Sequence, residues 1–320
     1  MSTVSSFTEI PLETTSAADR LRRIAAAVRV AFTWWGTHRA LTGDQKDAVC
    51  EATGADTRLL SAGKRIVDVA HPAFRRLTSV RTQVVKHWRS VTLPYVDSGV
   101  RLIRQSDVAA FNLTMEGFRN DLAHAERGLS AAFEQIKTDA RKRLGSLYDA
   151  TDYPAEIRRL FALDWDYPAV EPPAYLMRLA PDVYEQQKER VGQRFEEAVQ
   201  LAEQAFMTEF TRLLSHLTER LRDGDDGERR VFRDSAVTNL SEFFNRFRAL
   251  NIRSNADLDH LVDQARQLVT GVTPHELRSN DDLRSRIASE MSVVQSQVDA
   301  MIIERPRRSI IRPSARSGGA

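Results

Sequence analysis

The sequence predicts a mainly α-helical protein: a long antiparallel helical hairpin, a set of C-terminal helices, and a small β element near the hairpin base. Three observations predict it. Phe111, Met115, Phe118, Leu122, Ala125, Leu129, Ala132 and Ile136 recur at alternating spacings of four and three, the period of a coiled-coil seam. Val191, Phe195, Ala198, Ala202, Phe206, Phe210, Leu213, Leu217 and Leu221 mark a second stripe further along. Between and before these stripes, Val28, Val30, Phe32 and Trp34, and again Phe161, Leu163 and Trp165, alternate with their neighbours at the period of a half-buried strand.

Taken in order, residues 1–15 read as a Ser- and Thr-rich flexible leader. From Ser16, a candidate N-cap, Leu21, Ile24, Ala25 and Val28 follow a helical spacing before the period changes to two and Gly36 ends the strand. Gly43, Gly54 and Gly63 break the next stretch into short pieces. Residues 71–90 are helical, with Leu77, Val80, Val84, Trp88 and Val91 on one face. The run Asp97, Ser98, Gly99 is the turn of a small hairpin. The first seam, continued through Ala140, Leu144 and Leu147, makes a helix ~60 Å long at 1.5 Å per residue, too apolar on one side to stand alone. The second long helix starts at Pro181 and Asp182, which suit a first turn. The simplest partner for one stripe is the other, with the 161–165 segment pairing with the 28–34 strand. Three helices, near 235–249, 255–270 and 280–302, complete the pattern, capped by Asp234 or Ser235, by Ser254 and by Asn280. The domain reading is therefore a hairpin domain over 16–230, a C-terminal helical module over 231–303, and a disordered basic tail over 304–320.

With 46 Lys plus Arg against 44 Asp plus Glu, the chain is not coated in one sign of charge. A single cysteine, Cys50, leaves no intramolecular disulfide and no Cys-rich zinc site. No signal-peptide pattern and no run of roughly 20 apolar residues is present, so a cytoplasmic location is expected.

Searches for catalytic, cofactor and metal signatures return none worth carrying. Gly63 and Lys64 follow Gly54 at the wrong spacing for a phosphate loop, and Arg65 stands where a Ser or Thr is required. Asp182, Glu185 and Lys188 share one helix start, where nuclease-type carboxylates would come from neighbouring strands. Asp223, Asp225 and Asp226 meet Gly227 where a calcium loop needs an oxygen. No His pair has ligand spacing. Trp34 and Trp35 are candidates for an aromatic platform, although a strand must turn one of them inward. In the tail, Arg305, Arg307, Arg308, Arg312 and Arg316 face one acid, Glu304, a composition that holds nucleic-acid phosphates without sequence preference.

One block points to a family. The run from Val231 through Phe232, Arg233, Asp234, Ser235 and Asn239 to Phe243, Phe244, Phe247 and Ile252 resembles a recurring block in uncharacterised bacterial, plasmid and phage proteins grouped as a domain of unknown function. The opening from Val28 to Gly36, with Arg39 and Leu41, and the ending from Glu304 to Arg308 are similar too. The resemblance spans residues 25 to 310. It implies no catalytic residues, and it implies a genomic setting beside AAA-type ATPases resembling the MoxR and cobalt-chelatase kinds, with a von Willebrand A-type partner. Read physically, the block is a helix start, with Phe232 as the apolar anchor before the cap. The expected function is that of a non-catalytic interaction or assembly protein, an adaptor for such an ATPase. A nucleic-acid-associated role through the tail is the first alternative, and an enzyme whose site converges from distant segments is the second.

Overall fold

The computed structural model describes residues 15–221 and 234–303, and these fall into two compact units. The first comprises residues 24–191; the second takes the chain up to residue 23 together with residue 192 onward. In chain order the elements are α1 (Ala17–Ile24), β1 (Ala25–Trp34), β2 (His38–Ala40), α2 (Gly43–Thr53), β3 (Gly63–Arg65), α3 (Pro72–Ser90), β4 (Thr92–Pro94) and β5 (Val100–Arg104). Then follow α4 (Val108–Leu144), β6 (Phe161–Asp166), α5 (Tyr175–Leu179), α6 (Pro181–Leu221), α7 (Ser235–Leu250), α8 (Ala256–Val269), α9 (Pro274–Ser279) and α10 (Asp281–Ile303). The fold is predominantly helical with a small antiparallel sheet, as the sequence pattern predicts.

In the first unit the sheet runs β4-β5-β1-β6, all antiparallel. β1 is shared along its length: Ala25 to Arg29 pair with β5, and Arg29 to Trp34 pair with β6. The expected pairing of the two period-two segments is observed, with Phe32 opposite Leu163 and Trp34 opposite Phe161. The strand begins three residues earlier than the point where the alternation becomes visible. Ala25 fits a helical spacing, but its partner Arg104 on β5 takes it into the sheet, a case of tertiary pairing overriding local pattern. The glycine-broken stretch also holds more order than expected. Thr42 and Gln45 form a capping box and Gly54, at φ 70°, closes α2 with a left-handed residue.

Both long helices are present. The α4 seam (Phe111, Met115, Leu122, Ala125, Leu129, Phe133, Ile136 and Ala140) is buried in one core with Val28, Phe74, Leu77, Val84, Phe161 and Leu163. Its helical neighbour is α3, and the two run antiparallel. Asp68, just before α3, pairs with Arg143 near the end of α4 at 2.5 Å, while His87 at the other end of α3 stacks on Phe111. Thus α3 and the sheet cover the seam.

The α6 stripe enters the core of the second unit. Phe206 and Phe210 meet Phe243, Phe244 and Phe247 of α7, with the Phe210 and Phe243 rings stacked 5.1 Å apart. Glu209 and Arg246 form an ion pair beside them. Arg284 of α10, 4% exposed, donates Nε to the Leu221 carbonyl at 2.7 Å and Nη2 to the Arg220 carbonyl at 3.1 Å. These are carbonyls the end of a helix cannot satisfy internally, and a cation suits that pole of the dipole. Arg20 ties α1 to the same unit through the carbonyls of Ile252 and Arg253.

Two capping details and one short helix differ from expectation. Asn255, not Ser254, caps α8 by accepting from the Leu258 N–H. Asp234 precedes α7, but its carboxylate pairs with Arg278 of α9 at 2.9 Å and makes no cap bond. The helix α9 was not visible as a period because it is six residues long. Ser16 and Asn280 cap as predicted.

Leu122 is 2% exposed at the centre of the α4 seam. Leu122→Asp should destabilise the first unit by about 3–5 kcal/mol, since it leaves a carboxylate in an apolar core. Urea unfolding followed by tryptophan fluorescence measures this, and an unchanged midpoint would mean the seam faces solvent.

Candidate interaction surfaces

The residues singled out by sequence are placed in different settings. Lys64 on β3 lies in the interior, its side chain 2% exposed. Its ammonium donates to the Leu147 carbonyl at 2.7 Å and to Gln45 Oε1 at 3.3 Å, and it pairs with Asp152 at 2.8 Å. The lysine is thus a clamp between β3, α2 and the segment after α4. Nearby, the Tyr153 hydroxyl donates to the Ile66 carbonyl at 2.8 Å, and burial pushes its pKa up to about 12.

The two tryptophans do not part as strand alternation predicts, because β1 ends at Trp34 and both rings pack on the core. Trp35 is buried edge-on against Phe133, and Trp34 lies half-buried, edge-on to Phe161. Trp34 is not an open platform, because the Arg81 guanidinium sits 5.0 Å from its ring and 5.2 Å from that of Phe32. The same construction recurs on β6. Arg119 of α4 stacks 4.3 Å from the Trp165 ring and donates to the Leu163 carbonyl, while Asn112 Oδ1 accepts from both Trp165 Nε1 and the Tyr167 hydroxyl at 2.7 Å. These arginines seal the rim of the sheet–helix core.

In the block that carries the family resemblance the apolar residues are core, Phe243, Phe244 and Phe247 being buried, while Asp234, Ser235 and Asn239 are exposed. Phe232 and Arg233, the acidic run Asp223, Asp225 and Asp226, and the tail with Arg305, Arg307, Arg308, Arg312 and Arg316 lie outside the described residues. Glu185 and Lys188 pair with each other at 3.3 Å on the first turns of α6.

A cavity of about 270 Å³ opens between Ile66, Val67, His71, Ile136, Asp139 and Arg143. Asp68 and Arg143 in its wall are committed to each other, and the Arg143 guanidinium and the Ala70 N–H hold the Asp68 carboxyl below its usual pKa range. Among the described residues no three His, Cys, Asp or Glu side chains are grouped as a metal site would need. No helix among them is long and apolar enough to cross a membrane.

Two surfaces were missed by sequence reasoning. The first is apolar. Helix α5 buries none of its residues, and Tyr175, Met177, Leu179 and, on α6, Val183 are 55%, 54%, 78% and 43% exposed. Nothing in the sequence signals this, because an apolar run looks the same whether covered or bare. The second is basic. Helix α3 carries Arg75, Arg76, Arg81, Lys86 and Arg89 and no acid. Arg75, Ser79, Thr82, Lys86 and Arg89 are all exposed and follow one another at spacings of four, three, four and three. That signal was legible, as the polar counterpart of the apolar face.

The chain matches no protein-family model, no curated protein and no solved structure.

Two consequences can be measured. Lys64→Ala leaves Asp152 uncompensated and should cost about 3–5 kcal/mol, whereas Lys64→Met with Asp152→Leu should recover most of that loss; equal stability of the single variant and the parent would show that the pair holds nothing. His87 packs between Phe111 and Phe118 with Nε2 buried and unbonded among the described residues, and burial lowers its pKa. A proton then binds the unfolded chain before the folded one, so stability is full above an ordinary imidazole pKa of roughly 6.5 and declines as pH falls below it. Denaturation midpoints should drop from pH 7 to pH 5, and His87→Phe should flatten that slope.

Proposed function

We propose that this chain works as a binding component of a larger assembly, without turnover of its own, and that it docks another protein through the segment from Tyr175 to Val183. The observation that carries the reading is the exposure of that segment. A soluble surface tolerates single apolar side chains, but four within nine residues, two of them aromatic or sulfur-bearing, form a patch of the kind partners cover. Pro168, Pro172 and Pro173 precede it and Pro181 lies within it. Their fixed φ angles reduce the entropy lost when the segment is held by a partner. Tyr175 and Leu179 stand four residues apart on α5, the spacing of anchors that enter a groove on a receiving protein.

The family resemblance supplies a partner to try: an AAA-type ATPase of the MoxR or cobalt-chelatase kind encoded beside this chain. Such an adaptor needs a stable surface and no reactive centre. A second reading, association with nucleic acid, is favoured by the separate basic face of α3.

The test is co-purification of the full chain with the products of its neighbouring genes, with ATP hydrolysis measured with and without it. Tyr175→Ser combined with Leu179→Asp should abolish co-purification and any effect on hydrolysis. Because neither side chain is buried, the unfolding midpoint should stay within about 0.5 kcal/mol of the parent's. Unchanged partner binding by this variant would remove the segment, and catalytic turnover by the purified chain would replace the binding reading with an enzymatic one.

A further inference from the structure

Independently of the protein-docking segment, we propose that the solvent face of α3 is a docking surface for duplex nucleic acid, gripped through its phosphates and indifferent to base sequence. The argument starts from what that helix does with its two sides. Phe74, Leu77 and Val84 are 3%, 0% and 0% exposed, so the inner face is fixed in the core and α3 cannot roll. At 100° per residue, Arg75, Ser79, Thr82, Lys86 and Arg89 then lie within roughly 80° of one another on the outer face, with Arg76 and Gln83 along one flank. The stripe extends ~21 Å from Arg75 to Arg89.

None of Arg75, Arg76, Lys86 and Arg89 has a carboxylate partner among the described residues, and α3 itself supplies no acid to pair with them. Arg81, the remaining cation of the helix, is turned aside onto Phe32 and Trp34 and is not part of the face. The neutral residues between the cations also suit phosphate oxygens. Ser79 and Gln83 are exposed side chains able to donate, and they are joined by a Gln83 Nε2 to Ser79 Oγ hydrogen bond of 3.3 Å. Thr82 contributes less, since its hydroxyl donates to the Thr78 carbonyl at 2.9 Å.

The chemistry narrows the ligand. Along one strand of a duplex a charge recurs about every 3.4 Å of axis, so a rigid stripe of this length spans about six phosphates and can choose among them. Single-strand binding uses aromatic side chains on which bases stack, and this face has none. An anionic bilayer would reward apolar side chains beside the cations, and here every apolar side chain of the helix belongs to the opposite face or its margins. The face offers cations and hydroxyls spread along its length, the side-chain types that hold phosphate oxygens and fix position without reading sequence.

The test uses the full chain throughout, so that any contribution of the C-terminal arginines is common to all variants. Binding to a labelled mixed-sequence DNA duplex is followed by fluorescence anisotropy between 50 and 200 mM salt. The expected result is binding by the parent, with the variant Arg75→Gln, Arg76→Gln, Lys86→Gln, Arg89→Gln weakened at least ~10-fold and its log K against log salt slope shallower by about 3 to 4. Arg89→Gln alone should make the slope shallower by about 0.9. Arg127→Gln with Lys142→Gln, which removes exposed charge from α4, should change neither quantity by a comparable amount per charge. A scrambled duplex should bind equally well. The proposal is overturned if the parent binds no duplex at 50 mM salt, or if the fourfold variant keeps the parental affinity and slope. It is also overturned if vesicles containing phosphatidylserine bind the same four residues more tightly than the duplex does, which would assign the face to a membrane surface.

Discussion

The helix α4 exposes more apolar length than any one neighbour can hide, and that requirement organises the unit around it. Thirty-seven residues carry a seam of eight buried side chains. Helix α3, with 19 residues, covers part of it, and the rest is met by the sheet, by Trp35, and by Tyr153. A narrow sheet could not reach far enough. The division of β1 solves this: its first half pairs with β5 and its second half with β6, so a ten-residue strand carries two partners in sequence and lays an apolar floor along the helix. The clamp at Lys64 and the pair between Asp68 and Arg143 then fasten the far end, where the segment around β3 meets the end of α4.

Much of this was legible because periodicity reports burial directly. The seam of α4, the stripe of α6 and the two alternating segments were all visible, and the pairing of residues 28–34 with 161–165 followed from their shared alternation, while its antiparallel sense is set by the folded chain. What periodicity does not report is the identity of the cover. The seam at Leu122 is equally satisfied by another long helix or by α3 and a sheet, and only the folded chain distinguishes them. Boundaries were blurred for a related reason: Ala25 suits a helix or a strand and is decided by Arg104 across the sheet. Capping residues erred by one position at Ser254 and Asn255 because both can accept from a backbone N–H. At the candidate surfaces, the bareness of Leu179 had no sequence signature, whereas the stripe from Arg75 to Arg89 did.

Electrostatics also divides along burial. Lys64 and Arg284, the buried cations, spend their protons on carbonyl oxygens and on Asp152, and each closes a junction between elements. Arg81 and Arg119 are spread over indole rings and shield them from water. The near-neutral total of 46 basic against 44 acidic residues conceals these local choices. Net charge describes how the chain behaves at long range; which face meets which ligand depends on where acids are missing.

The position of β6 at the end of the sheet has a consequence for solubility. A terminal strand offers unpaired amide groups to any other extended chain, and one with apolar side chains on both faces would recruit copies of itself into fibrillar stacks. Here the strand is apolar on one side only. Phe161, Leu163 and Trp165 point to the core, while Asp164 and Asp166 occupy the outer face, Asp166 held by two hydrogen bonds from Arg29 on the adjacent strand. Two such strands brought side by side in register would set carboxylates against carboxylates. The acids on β6 thus make this margin of the sheet a poor template for self-assembly.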